Sequence, residues 1–371
     1  MERSRRRLRF VACNKFPAAQ PFVFFRKEFF MTGTHRFSTI GFVLCLMLLS
    51  SHFVGQESAP RPELVADPSG NGVALARAEE RFSSLSLKGS NLHPDPPILG
   101  GKAETRKFVR ELLRVQWRPN DPIDLYVIRP AGAKKPPVVL YLYGFPSDTD
   151  RFKDDRYCER VIRGGAAAVG FVSAFTGQRN EHRPPKSWFV SELPEAVAST
   201  VHDVQMILNY LESRGDLDMS KVGMLGQGSG GAIAILAAAA DARLKAIDLL
   251  DPWGDWPDWL ATVSIVPSEE RASYLKPDFL KRLEPLEPVR FLPELKSRSL
   301  RIQFVDEYGE PKEAVHKIEA AAPSTATVRH YPTSMALRAV AADGGLFTWI
   351  SKELMPRQET GQVTTTGSKE H

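Results

Sequence analysis

The residues best placed to do chemistry lie in one short stretch, Gly226-Gln227-Gly228-Ser229-Gly230-Gly231. An apolar run, Val222–Leu225, leads into it and an alanine-rich run, Ala232–Ala240, leaves it. A strand that turns at once into a helix holds the residue at the turn in strained backbone above the sheet. A serine there becomes a nucleophile when a histidine takes its proton and a carboxylate orients the histidine. Ser229 is the one hydroxyl in the stretch, and the histidines after it are His316, His330 and His371. For each of them a surface or satisfied role is commoner than a catalytic one. The acids that follow apolar runs are Asp251, Asp306 and Glu307. Acids at strand ends are also common on solvated rims.

The elements that must position these residues alternate. Leu112–Trp117 and Ile123–Ile128, joined by Pro119-Asn120-Asp121-Pro122, read as an antiparallel hairpin. Val138–Leu142 is apolar throughout, as in a strand buried on both faces of a mainly parallel sheet. A helix around Tyr157–Arg163, a strand at Ala166–Val172 and a helix at Glu195–Ser213 follow, the last with apolar residues at helical spacing. Beyond the turn come strand Ala246–Leu250, a Trp- and Pro-rich insertion, strand Leu300–Val305, helix Lys312–Ala321, strand Thr327–Tyr331 and helix Gly345–Leu354. This order predicts one domain over residues 101–356, a doubly wound sheet with helices on both faces.

Three features make the chain resemble the α/β-hydrolase superfamily over roughly residues 108–356. They are the turn at Gly226–Gly231, the segment Tyr210–Asp218 ahead of it, and Tyr143-Gly144-Phe145 after the early strand. Within that superfamily they are most similar to the dienelactone-hydrolase, acetyl-xylan-esterase and acyl-peptidase-like branch. The resemblance implies a G-x-S-x-G nucleophile elbow, with Gly226 and Gly230 as its outer glycines and Gly228 at the nucleophile position. A frame shifted by one residue makes Ser229 the nucleophile instead, but strand Val222–Leu225 and the helix entry Gly230-Gly231-Ala232 favour the first frame. Glycine at the tip also relieves the strain that a Cβ would carry there.

The resemblance further implies a histidine after the last strand, just past a Tyr-Pro pair. Tyr331-Pro332 is followed here by Thr333-Ser334-Met335-Ala336-Leu337, without one. The acid position falls between Asp306 and Gly309, with Asp251 as a further candidate. Backbone N–H groups of Phe145 and Ser229 would form the oxyanion hole. The expectation is a catalytically degenerate hydrolase fold that binds a small molecule or partner. The alternatives are an esterase acting through Ser229 with Asp306 and His330, and a structural or docking protein whose pocket has closed.

The insertion Asp251-Pro252-Trp253-Gly254-Asp255-Trp256-Pro257-Asp258-Trp259 stands where a lid covers the pocket in the family. Trp253, Trp256 and Trp259, with Trp188 on another loop, could floor a sugar or apolar ligand; a lid packed against the body is the commoner arrangement. No metal-ligand spacing, P-loop or dinucleotide fingerprint is present, so no cofactor is expected.

The basic balance of 49 Lys and Arg against 44 Asp and Glu comes from the leader. Residues 1–36 hold nine basic residues and two acids, and residues 37–55 none, leaving 40 against 42 beyond them. The folded part is therefore near neutral, with no nucleic-acid footprint. His35-Arg36, the apolar run Ile40–Leu49 and a polar exit read as a signal peptide over residues 31–55, with Met31 as its start and residues 1–30 an upstream mis-start or basic extension. Export to the periplasm or exterior is expected, with membrane anchoring as the alternative if the leader is uncleaved. Residues 56–100 read as linker and 357–371 as a disordered tail. Cys158 is the sole cysteine beyond the leader, so no intramolecular disulfide is expected. The sequence leaves the oligomeric state open.

Overall fold

The computed structural model describes residues 80–90, 92–119, 121–145, 147, 149–175, 179 and 192–355, all within the unit Ala76–His371. The leader, Cys13, Cys45, Trp188, His371 and the tail lie outside the described residues.

Nine strands form one sheet: β1 (Ile98–Glu104), β2 (Phe108–Val115), β3 (Ile123–Pro130), β4 (Pro137–Leu142), β5 (Ala167–Gly170), β6 (Asp218–Gln227), β7 (Leu244–Leu250), β8 (Ser299–Val305) and β9 (Thr327–Tyr331). Their order is β1-β2-β3-β5-β4-β6-β7-β8-β9. The pairs β1–β2, β2–β3 and β3–β5 are antiparallel, and every pair from β5 through β4 to β9 is parallel. The expected hairpin is β2–β3, in register from Phe108 opposite Pro130 to Val115 opposite Ile123.

The helices are α1 (Asp155–Val161), α2 (Leu193–Arg214), α3 (Ser229–Ala240), α4 (Trp256–Thr262), α5 (Arg271–Tyr274), α6 (Pro277–Leu283), α7 (Pro288–Phe291), α8 (Lys312–Ala321), α9 (Ser334–Ala342) and α10 (Gly345–Leu354). The parallel strands separate two cores by alternation. Val138, Leu140 and Leu142 of β4 join the core beneath α2 and α3, whereas Val139 and Tyr141 join the core with α1 and α10. Side chains on successive residues of a strand point to opposite faces, so an unbroken apolar run is what a sheet covered on both sides requires.

Three elements depart from the sequence reading. β1 begins at Ile98, inside the stretch whose composition reads as linker; it is an exposed edge strand with no apolar alternation to reveal it. α9 occupies the segment after Tyr331-Pro332, started by Thr333, whose hydroxyl accepts from the Ala336 N–H at 3.2 Å. The insertion after β7 is longer than its Trp- and Pro-rich start: α4, α5, α6 and α7 fill the chain up to β8, and three of the four open with proline in their first turn. Proline suits the first helical turn, where its missing N–H has no partner to lose.

Candidate functional site

The parallel strands end on one edge of the sheet, where the turn after β6 and the segments after β7 and β8, with Asp251, Asp306 and Glu307, are found. β6 ends at Gln227, Gly228 makes the turn and α3 begins at Ser229. Gly228 has φ 55° and ψ −120°, a conformation that L side chains rarely adopt. Its N–H donates to the Leu250 carbonyl at 2.9 Å, and its carbonyl accepts from the Trp253 N–H at 3.1 Å. The turn is thus bonded on both sides to the end of β7 and the segment after it.

The neighbouring glycines are required by close approach rather than by φ. A Cβ on Gly226 would meet the Gly230 carbonyl, and one on Gly230 would meet the Leu142 carbonyl. A Cβ on Gly144 would stand 2.7 Å from the Gln227 carbonyl oxygen. Gly226 and Gly230 therefore hold the flanking positions of the turn, and Gly228 its tip.

Ser229 is the first residue of α3 and is 1% exposed. Its Oγ accepts from the Phe145 N–H at 3.0 Å. One of the two N–H groups expected to line an oxyanion hole, that of Phe145, thus donates to the serine hydroxyl. Among the described residues no histidine is in hydrogen-bond reach of Ser229 Oγ. His330, on β9, is exposed and stacks on Phe304; its Nδ1 faces Asp306 at 3.2 Å and its Nε2 faces Glu319 at 2.6 Å. Those bonds outweigh partial burial and raise its pKa, the Glu319 contact most of all. Asp306 and Glu307 are exposed after β8, and His316 is exposed on α8. The structure brings His330 and Asp306 together, but not with Ser229.

The tryptophans of the insertion are buried. Trp253 is 6% exposed, Trp256 1% and Trp259 0%. Trp253 and Trp259 pack with ring centroids 4.3 Å apart, Trp256 stands edge-on to Trp259 at 5.8 Å, and the Trp256 indole N–H donates to the Leu286 carbonyl at 2.8 Å. The Trp253 Nε1 lies 3.4 Å from where a Gly228 Cβ would stand. The indoles thus form the core of the insertion, and Trp253 roofs the turn.

One arrangement had little sequence signal. Asp251, directly after β7, has φ 46° and is 3% exposed. Its Oδ1 accepts from the Val305 N–H at 2.7 Å, while its Oδ2 has no partner. Burial pushes its pKa up to about 7, against the Val305 bond and with help from the charge of Asp306. Glu310, in the loop before α8, is half-buried, but its carboxyl is desolvated. Burial raises its pKa to about 8, Asp251 adds to the rise, and the indole N–H of Trp259 opposes it. That N–H, fully buried, makes no hydrogen bond of normal geometry. Asp251 is visible in the sequence as an acid at a strand end. Glu310 sits one residue beyond the window from Asp306 to Gly309, and nothing in its neighbours marks it.

Among the described residues, no group of three or more His, Cys, Asp or Glu side chains could hold a metal ion, and no helix is long and apolar enough to cross a membrane.

No family model and no curated protein matches the sequence. Solved structures do match. Acetyl xylan esterase 1 from Thermoanaerobacterium sp. JW/SL YS485 shares 13% identity at a TM-score of 0.51, over 71% of this chain and 90% of that one. The acetyl xylan esterase from Paenibacillus sp. R4 shares 15% at a TM-score of 0.53, over 71% and 91%. With the strand order and the turn at Gly228, this likeness makes the fold that of the α/β hydrolases.

Proposed function

We propose that this protein uses the α/β-hydrolase fold to bind a small molecule at the C-terminal edge of the sheet, without a serine nucleophile at the elbow. The observation that carries the reading is Gly228. It holds the tip of the turn, in the strained backbone where a nucleophile would sit, and it has no side chain to react. Two further features support it. Ser229 Oγ is committed to the Phe145 N–H, and the segment after Tyr331-Pro332 is helix α9 without a histidine. Export belongs to the same proposal and rests on the leader sequence alone.

A second reading is ester hydrolysis through Ser229, and the similar solved structures, both acetyl xylan esterases, favour it. It needs Ser229 to leave Phe145 and a base to reach it. Labelling of purified protein with a fluorophosphonate probe, beside a Ser229→Ala variant and a short-chain ester assay, separates the two. No labelling and no turnover by folded protein is the expected result. Labelling that disappears in the variant would establish Ser229 as a nucleophile and put hydrolysis first.

A further inference from the structure

Charge and hydrogen-bonding groups left unmet beside a cavity mark a place where a ligand can supply what the chain lacks. A cleft of about 390 Å³ in the insertion, lined by α4, α6 and α7, offers little of this kind beyond the exposed Lys281. Its Asp255 meets Lys317 at 2.7 Å, and its Arg290 meets Glu284 at 3.2 Å. Its Glu287 carboxylate accepts from the N–H groups of Asp255, Trp256 and Val289. A second cleft, of about 320 Å³, lies at the end of the sheet away from the elbow, where the parallel strands β8 and β9 begin at Ser299 and Thr327. Trp349 and Glu353 of α10 form its other wall.

Two cations line this second cleft, Lys296 and Arg298, and among the described residues neither forms an ion pair. Arg298 is half-buried; its Nε is enclosed without a partner, and its Nη1 donates to the Ser297 hydroxyl at 3.2 Å. Arg129 also has an enclosed Nε without a partner, but Asp216 answers its charge at 3.1 Å. No carboxylate answers that of Arg298. The hydroxyls of Ser299 and Thr327 line the same cleft and make no hydrogen bond among the described residues. Glu353 is the one carboxylate of the lining; it is exposed and paired with neither cation. The buried Arg301 guanidinium lies 4.6 Å from the Trp349 ring centroid and holds the indole as a fixed wall.

We propose that this cleft recognises the phosphate group of a small phosphomonoester. A phosphate offers only acceptor oxygens, and the lining is rich in donors: a guanidinium, an ammonium and two unbonded hydroxyls. The planar fork of Arg298 suits two oxygens of one phosphate, while Lys296 adds a mobile point charge at the rim. The volume falls at the lower end of the range for ligand cavities, about 300–1,000 Å³, which leaves room for a small polar group beside Trp349. Glu353 opposes the anion and so limits its affinity. The cleft shares no residue with the elbow, and the inference stands apart from the reading of Gly228 and Ser229.

The test is calorimetric titration of the whole folded protein with glycerol 3-phosphate, inorganic phosphate and glycerol. Glycerol 3-phosphate should bind saturably, and less tightly as sodium chloride is raised. Inorganic phosphate should bind more weakly than the ester, and glycerol not at all. Arg298→Gln should weaken binding of the ester about tenfold, and Arg298→Lys, which keeps the charge but loses the fork, should recover part of it. Lys296→Gln alters an exposed side chain without a partner, so it leaves the fold intact and should weaken binding about threefold. Glu353→Gln should tighten binding by about the same factor. Circular dichroism of each variant checks the fold. Absence of saturable glycerol 3-phosphate binding, equal binding of glycerol, inorganic phosphate held as tightly as the ester, or unchanged affinity in the folded Lys296→Gln and Arg298→Gln variants would each overturn the proposal.

Discussion

Two buried polar clusters in this molecule solve the same electrostatic problem in opposite ways. On α2, Asp203 is enclosed by Arg118 and Arg179, and both arginines also meet Asp121. Arg118 further holds Glu80, which bonds His202 Nδ1 at 2.6 Å, and the other ring nitrogen of His202 faces the Ser84 carbonyl at 2.7 Å. Burial works to raise the pKa of Glu80, but Arg118 and His202 bring it down to about 2. At the end of β7, burial dominates: the Val305 N–H and His330 offset it only in part at Asp251, the Trp259 indole only in part at Glu310, and the two pKa values rise to about 7 and about 8. The first cluster is complete within the chain and ties residues 80–87 to α2, with the Leu87 N–H bonded to Gln205 Oε1 at 2.9 Å. The second forms no ion pair among the described residues, and burial rather than pairing sets its charge. Paired charge of the first kind is architecture, whereas unpaired charge at the C-terminal edge of a parallel sheet is where a ligand is to be sought.

The contrast can be broken experimentally. Asp203→Ala removes the fully buried carboxylate that Arg118 and Arg179 share, leaving them Glu80 and Asp121, and loss of one partner of a buried ion pair costs about 3–5 kcal/mol; urea unfolding should show a loss towards the lower end of that range. A loss under about 1 kcal/mol would mean that the cluster is not structural.

The pH dependences should have opposite signs. Asp251 has its pKa raised in the folded state, so the stability it allows is complete below its ordinary value of 3.8 and is lost as pH climbs through about 7. Glu80 has its pKa lowered, so its contribution is present above 4.5 and is lost as pH falls through about 2. Asp251→Asn keeps the acceptor for Val305 and should gain about 2 kcal/mol near pH 8 while flattening the alkaline decline. An unchanged pH profile in that variant would remove Asp251 from the account.

Gly228→Ser places a Cβ in ordinary contact with Trp253 but keeps φ at 55°. It should cost about 1–2 kcal/mol and still resist fluorophosphonate. Labelling of this variant would reveal a working base near the elbow. The smallest effect belongs to His330→Ala. Its partners Asp306 and Glu319 lie at the surface, so thermal unfolding should register about 0.5 kcal/mol or less once solvent screening is counted. Because the pKa of His330 is raised, even that contribution should be present below its ordinary value of 6.5 and fade as pH rises further.

Much of the fold is decided locally. Unbroken apolar runs such as Val138–Leu142 can be satisfied only between two helical layers, and the glycines at 226 and 230 permit a close approach that leaves no room for a Cβ, while Gly228 relieves the strain at the tip of the turn. A linear pattern therefore fixes the parallel strands, the helices α2, α3, α8 and α10, and the glycine turn between β6 and α3. Edge strand β1 and helix α9 leave little mark in the pattern, because β1 has no apolar face to bury and α9 buries only Leu337. What only the tertiary structure decided is where polar atoms end up. Ser229 could have pointed to a pocket, and packing turned it onto Phe145 instead. Asp251 and Glu310 lie on different loops, and only the fold decides that burial raises the pKa of both. Burial and charge depend on neighbours distant in sequence, so a carboxyl that looks solvated in the chain can become, in the fold, the one without its cation.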